Sequence, residues 1–259
     1  MSDAFARGTV VSFKRQELKY WLPEPVAESV HLFAAPFVEQ DRAAGHLGGQ
    51  RVTSLYLDTP GLDFYRSHVA SAADRFKLRV RYYGELPGAS VFFEVKRKVG
   101  RIVDKRRARV PSADLRGLLG GASASSPPLE GAQAEHLRRF LYLMNVHRAT
   151  PKLVLTCRRS AYYSRESWDN ARATLDRQIS FQVTSPATLL GDPGRWRPAP
   201  APGPGALLEL KFSEHLPWWM NDLANRLARY RIAYSKYVAA MSLAIGDVSG
   251  VAREERVPA

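Results

Sequence analysis

Pairs of charged residues recur at strand spacing along this 259-residue chain: Glu17/Lys19, Arg79/Arg81, Glu94/Lys96, Lys105/Arg107 and Glu209/Lys211, with Arg159 and its neighbours making a sixth group. Successive side chains of a strand point to opposite faces, so residues two apart share a face. In 76–83 (FKLRVRYY), Lys77, Arg79 and Arg81 alternate with Leu78, Val80 and Tyr82; in 91–98 (VFFEVKRK), Phe92, Glu94, Lys96 and Lys98 share one side. One such strand is ordinarily the solvated face of an antiparallel sheet. Six that are mostly cationic, with few carboxylates, repel one another unless an anion neutralises them. Arg offers planar forks and Lys point charges to phosphate oxygens. The glutamates have no reason to touch phosphate directly and suit a divalent ion, Mg2+ or Mn2+, that bridges phosphate oxygens.

Positioning such groups requires a sheet that curls. Period-two runs at 9–22, 54–57, 76–83, 91–98, 101–110, 152–163, 172–183 and 207–212 predict about eight strands, mostly antiparallel because their connections are short. Helical periodicity is confined to 24–40, 132–146 and 218–230, with a shorter helix after Ser235. The expected class is α+β, an antiparallel eight-stranded β-barrel with flanking helices. Such a barrel is wide enough for side chains and one small ligand. Breaks at 120–131 (GGASASSPPLEG) and 191–205 (GDPGRWRPAPAPGPG) are too rich in Gly, Ser and Pro for either element. A single domain is expected over 9–248, with 249–259 as a flexible tail.

Composition narrows the partners. Lys and Arg number 38 against 25 Asp and Glu, a net charge of +13, which points to polyanions. One cysteine, Cys157, excludes an intrachain disulfide and a cysteine-based zinc cluster. The start lacks the pattern of a signal peptide, and no window approaches the roughly 20 apolar residues of a membrane span. A cytoplasmic, soluble protein is expected. The six histidines have no spacing suited to a metal site and receive no role.

The runs 17–21 (ELKYW), 77–84 (KLRVRYYG), 93–98 (FEVKRK), 105–107 (KRR), 159–162 (RSAY), 172–176 (RATLD), 208–211 (LELK) and 234–237 (YSKY) together resemble, in order, the VTC domain. That is the polyphosphate polymerase domain of the triphosphate tunnel metalloenzymes. The resemblance implies an eight-stranded tunnel open at both ends, whose basic residues bind the triphosphate of ATP and a growing polyphosphate chain. Lys19, Arg79, Arg81, Lys96, Arg159 and Arg172 then carry the transferring phosphates, and Lys105, Lys236, Lys98 and Lys211 the rest of the chain. Glu209, with Glu17 and Glu94, would hold Mn2+ or Mg2+. Asp176 is read as orienting Arg172. Cys157 departs from the Tyr that eukaryotic polymerase members tend to have two residues before the Arg159 position. Those members also carry a lipid-binding module and membrane helices, so a membrane-protein partner here would be a separate chain.

The implied reaction is metal-dependent transfer of the ATP γ-phosphate to polyphosphate. Hydrolysis of inorganic triphosphate or a nucleoside triphosphate uses the same binding residues. A non-catalytic polyanion-binding module is a third possibility; nucleic acid is not expected, because its binders interleave basic and exposed aromatic residues on an outer face.

Overall fold

Alternation becomes strand almost everywhere it was expected. The computed structural model describes residues 16–41, 49–84, 88, 90–100, 102–120, 129–166, 170–184, 189–213, 215–246 and 253–254. The 9–15 part of the first expected strand, the interior of the 120–131 break and most of the 249–259 tail lie outside them. The strands are β1 (Gln16–Leu22), β2 (Val38–Gln40), β3 (Gln50–Asp58), β4 (Asp74–Tyr83), β5 (Ser90–Val99), β6 (Ile102–Pro111), β7 (Thr150–Ser164), β8 (Arg172–Val183), β9 (Arg197–Pro198), β10 (Ala206–Phe212), β11 (Ile232–Ala233) and β12 (Arg253–Glu254). The helices are α1 (Glu24–Ala34), α2 (Asp63–Val69), α3 (Leu115–Leu119), α4 (Gly131–Val146), α5 (Trp218–Arg226) and α6 (Lys236–Ile245).

Eight strands pair antiparallel in the order β1-β10-β8-β7-β3-β4-β5-β6, with β2 added to β7 and β9 to β8. The sheet curls into a half-barrel. Among the described residues no backbone ladder joins edge strands β1 and β6; an ion pair from Glu17 of β1 to Lys96 of β5, 3.6 Å, bridges that side instead. The expected antiparallel eight-stranded barrel is thus present as a curled half-barrel with a seam between β1 and β6.

Two apolar clusters cover the outer face. Leu78, Val80, Tyr82, Phe93 and Val110 pack against Leu137 and Phe140 of α4. Tyr20, Leu175, Leu208 and Leu210 pack against Val30 of α1 and Met220 and Leu223 of α5. A third cluster lies inside the curl. Val52, Tyr56, Leu153, Leu155, Phe181 and Leu207 bury Tyr237, Ala240 and Met241 of α6. That helix is apolar nearly all round, as a helix enclosed on most sides must be. The passage expected to open at both ends therefore has α6 seated in one.

Two local features decide which residues share the concave face. Arg158 and Thr156 of β7 pair with Arg177 and Ser180 of β8, so β8 carries one extra residue, with Gln178 at φ +50°. This bulge flips the parity of β8 and turns both Asp176 and Phe181 inward. Gly49 (φ +76°) lets the chain entering β3 lie against β7: a Cβ there would stand 2.7 Å from the carbonyl carbon of Arg159.

The helix expected over 24–40 ends at Ala34. Pro36 cannot donate the next helical bond, and Val38–Gln40 pairs with β7 as a strand. The helix expected over 218–230 ends at Arg226 and passes into a 3-10 turn at Ala228–Tyr230. In the expected tail, Arg253 and Glu254 pair with Ala233 and Ile232.

Candidate functional site

The inner positions of β4, β5 and β6 build one charged wall. Glu94 of β5 is 1% exposed, and four cations from the neighbouring strands surround its carboxylate. Arg79 donates from Nε to Oε2 at 2.7 Å, with a second nitrogen also at 2.7 Å. Lys105 Nζ is 3.0 Å and Arg107 Nε 3.3 Å from Oε1, and Arg81 reaches within 4.0 Å. Burial opposes ionisation of Glu94, but Arg79, Arg81 and Lys105 override it and hold the carboxyl far below the usual range. Burial, with Arg79 and Arg81 alongside, brings Lys105 down to about 8 against the pull of Glu94. Arg81 also donates to Ser54 Oγ (3.2 Å) and Arg79 to the Tyr56 hydroxyl (3.3 Å), which fixes both forks.

The inner positions of β8 and β10, closed off by the start of α6, build the facing wall. Arg159 of β7 forks onto Asp176 through two bonds of 2.6 Å. Lys236, the first residue of α6, reaches Asp176 Oδ2 at 2.6 Å and Glu209 Oε1 at 2.9 Å. Lys211 completes Glu209. Desolvation works against charge on both carboxylates, yet Arg159 and Lys236 keep Asp176 low, and Lys211 and Lys236 keep Glu209 low. Lys19 of β1 donates to the Tyr234 carbonyl at 2.8 Å, and Lys77 of β4 to Ser235 Oγ at 2.9 Å, the hydroxyl that caps α6. The two walls thus meet at residues 234–236.

The inward placement of Lys19, Arg79, Arg81, Lys96, Lys105, Arg159, Lys211, Lys236, Glu17, Glu94 and Glu209 gathers these residues in the concavity of the curled sheet, where ion pairs link them. Lys98 stands one step past Lys96 on the same face. Arg172 sits at the opposite rim, 3.8 Å from Asp41 and over the Tyr163 ring at 4.6 Å. The expected link between Asp176 and Arg172 is not made: the carboxylate is taken by Arg159 and Lys236. Lys77 and Arg107 belong to the site although neither was singled out as a site residue; both stood in the charged alternation, two residues from Arg79 and Lys105.

The carboxylates differ in what they offer a divalent ion. No three His, Cys, Asp or Glu side chains stand together as a metal-holding group among the described residues. Glu94 is ringed by cations and serves as their counter-ion. Glu17 and Glu209 are linked through the Lys211 ammonium, which is 3.8 Å from Glu17. Both are hard oxygen donors, and they fit Mg2+ or Mn2+ once Lys211 and Lys236, which hold the two oxygens of Glu209, turn to phosphate and water and phosphate oxygens fill the other positions.

The family model of the VTC domain matches residues 14–245. The chain belongs to the VTC domain family. A curated relative, vacuolar transporter chaperone complex subunit 4 of Schizosaccharomyces pombe, is 32% identical over 100 residues. That match covers 36% of this VTC domain chain and spans 14% of the relative's length. Among solved structures, a Bacillus halodurans protein provisionally described as an adenylate cyclase aligns over 86% of this chain and 95% of its own, at 13% identity and a TM-score of 0.49. A Pyrococcus horikoshii protein aligns over 83% of this chain and 86% of its own, at 12% identity and a TM-score of 0.40.

Proposed function

We propose that this VTC domain is a phosphotransferase that moves the γ-phosphate of ATP onto a polyphosphate chain and releases ADP, with Mg2+ or Mn2+ as cofactor. The supporting observation is the pair of facing cationic walls, which can grip one phosphate chain from both sides. An oxygen of the acceptor's terminal phosphate bonds to the γ-phosphorus, and the bond from that phosphorus to the β–γ bridging oxygen breaks, leaving ADP. The acceptor is already ionised at neutral pH, so the step needs positioning and charge neutralisation rather than a general base. Arg79, Arg81, Lys19, Lys96 and Arg159 would bind the transferring phosphates; Lys105, Lys211, Lys98 and Lys236 would bind the flanking ones. Glu17 and Glu209 would hold the divalent ion, which neutralises charge on the phosphates. Partner subunits belong to the same proposal: the S. pombe relative is named as part of a vacuolar complex.

Incubation of the purified protein with ATP and Mn2+ or Mg2+, read on a polyacrylamide gel and by nucleotide chromatography, should yield long-chain polyphosphate together with ADP. Free phosphate without polymer would identify a triphosphatase instead. Tight tripolyphosphate binding with no turnover would leave a binding module. Replacing Glu209 by Gln should abolish turnover, and undiminished turnover would remove it from the metal site.

A further inference from the structure

The rim of the cavity opposite α6 differs from its interior. Tyr83, Phe92 and Arg107 cluster on one side, with the Arg107 guanidinium 3.6 Å from the Phe92 ring centroid and donating to the Tyr83 hydroxyl at 3.2 Å. On the other side Arg172 lies over Tyr163 at 4.6 Å, and the Tyr163 hydroxyl donates to Asp41 at 3.3 Å. The two tyrosines are close enough to influence each other electrostatically. One buried guanidinium nitrogen at this rim, Arg172 Nε, has no hydrogen-bond acceptor among the described residues, while Arg107 Nε lies 3.3 Å from Glu94 Oε1.

Phosphates alone do not account for aromatic rings here. A polyphosphate chain has no flat apolar surface to offer them, whereas a nucleobase stacks on aromatic rings and arginine planes. Tyr163 keeps 43% of its surface exposed. Sugar hydroxyls and the α-phosphate supply an acceptor of the kind that Arg172 Nε lacks.

We propose that Tyr83, Phe92, Arg107, Tyr163 and Arg172 form the nucleoside subsite of the cavity, taking the base and sugar of a nucleoside triphosphate whose phosphate tail runs inward between the two charged walls. This rests on the phosphate-cavity reading of the preceding subsection. It also assigns an orientation: the base stays at the rim and the γ-phosphate lies deepest, toward Lys19, Lys77 and Lys236.

Titration calorimetry with ATP and with inorganic tripolyphosphate separates the two readings. In Tyr163→Ala, ATP affinity should fall by at least about fivefold, the lower end of a base–aromatic stack, while tripolyphosphate affinity stays as in the wild type. Tyr163→Phe, which keeps the ring, should retain ATP affinity and so controls for misfolding. Equal weakening of both ligands, or of neither, overturns the nucleoside subsite and leaves the phosphate cavity standing. A wild-type protein that binds neither ligand sinks both.

Discussion

On the wall built by β4, β5 and β6, one carboxylate, Glu94, serves four cations, three of them arginines. On the wall built by β8, β10 and the start of α6, two carboxylates, Asp176 and Glu209, share Arg159, Lys211 and Lys236. The cluster around Glu94 has a surplus of three positive charges and the cluster around Asp176 and Glu209 a surplus of one. The arginine wall is thus left short of anion, and a phosphate chain supplies what it lacks. The lysine wall is nearly neutral without a ligand and also fastens α6, since Lys236 is both its main cation and the first residue of that helix. A lysine with three rotatable donors can move from carboxylate to phosphate, whereas the bidentate Arg159–Asp176 fork stays in place.

The largest expected effect comes from removing Glu94, the counter-ion at the centre of the arginine cluster. Glu94→Gln leaves four cations facing one another in a buried site, and breaking a buried charge cluster in this way costs about 3–5 kcal/mol. Urea unfolding should show that loss, and added tripolyphosphate should recover part of it by binding only the folded state. Unchanged stability would mean that solvent already screens these cations. Acid tests the same carboxylates. Glu94 and Asp176 ionise more easily folded than unfolded, so their contribution is complete above the ordinary carboxylate range of about 4. It is lost as pH falls below that range toward their depressed folded values.

Lys236→Met attacks the lysine wall and should cost less, about 1–3 kcal/mol, because Asp176 keeps Arg159 and Glu209 keeps Lys211. A loss as large as that of Glu94→Gln would show that α6, rather than charge balance, carries the stability of this wall.

A smaller effect concerns proton uptake. Lys105, whose ammonium is 3.0 Å from Glu94, is brought down to about 8, and a bound phosphate raises that value. Tripolyphosphate affinity should therefore fall as pH rises above about 8, by at most about tenfold per unit for this one group. Lys105→Arg should flatten that decline, leaving whatever comes from the buried Lys77, which burial and the nearby Lys96, Lys19 and Arg79 also depress. An unaltered profile in Lys105→Arg would assign the titration elsewhere.

The walls were legible in the sequence because period two states which residues share a face, and Arg79/Arg81 or Glu209/Lys211 need nothing more. Pairing across strands was not legible. Asp176 lies four residues from Arg172, which on a strand is roughly 13 Å; its partner Arg159 lies on β7, directly opposite in the ladder. Nor could alternation place Phe181 on the same side as Asp176, since the extra residue in β8 breaks the count. The location of α6 was hidden for another reason. Its apolar surface says that it is buried, but the seat inside the curl is made by Tyr56, Leu155, Phe181 and Leu207, on four different strands. Closure was likewise beyond reach, because whether β1 meets β6 depends on strand tilt and stagger rather than on residue type.

Cys157 gives the finest test of the boundary between the charged walls and the apolar seat of α6. It follows Leu153 and Leu155 on the inner face of β7 and precedes Arg159, so it stands where apolar packing gives way to charge. It is 3% exposed, and burial together with the nearby Asp176 pushes its thiol up to about 12. Only the thiolate attacks alkylating reagents, so both access and ionisation protect it. Iodoacetamide at pH 8 should leave native protein unmodified by mass spectrometry and label it fully in urea. Lys236→Met removes a cation that favours the thiolate and also loosens the start of α6, two effects of opposite sign. Faster labelling in that variant means that α6 opens once its ion pairs are gone; unchanged protection means that the apolar contacts of Tyr237, Ala240 and Met241 hold the helix by themselves.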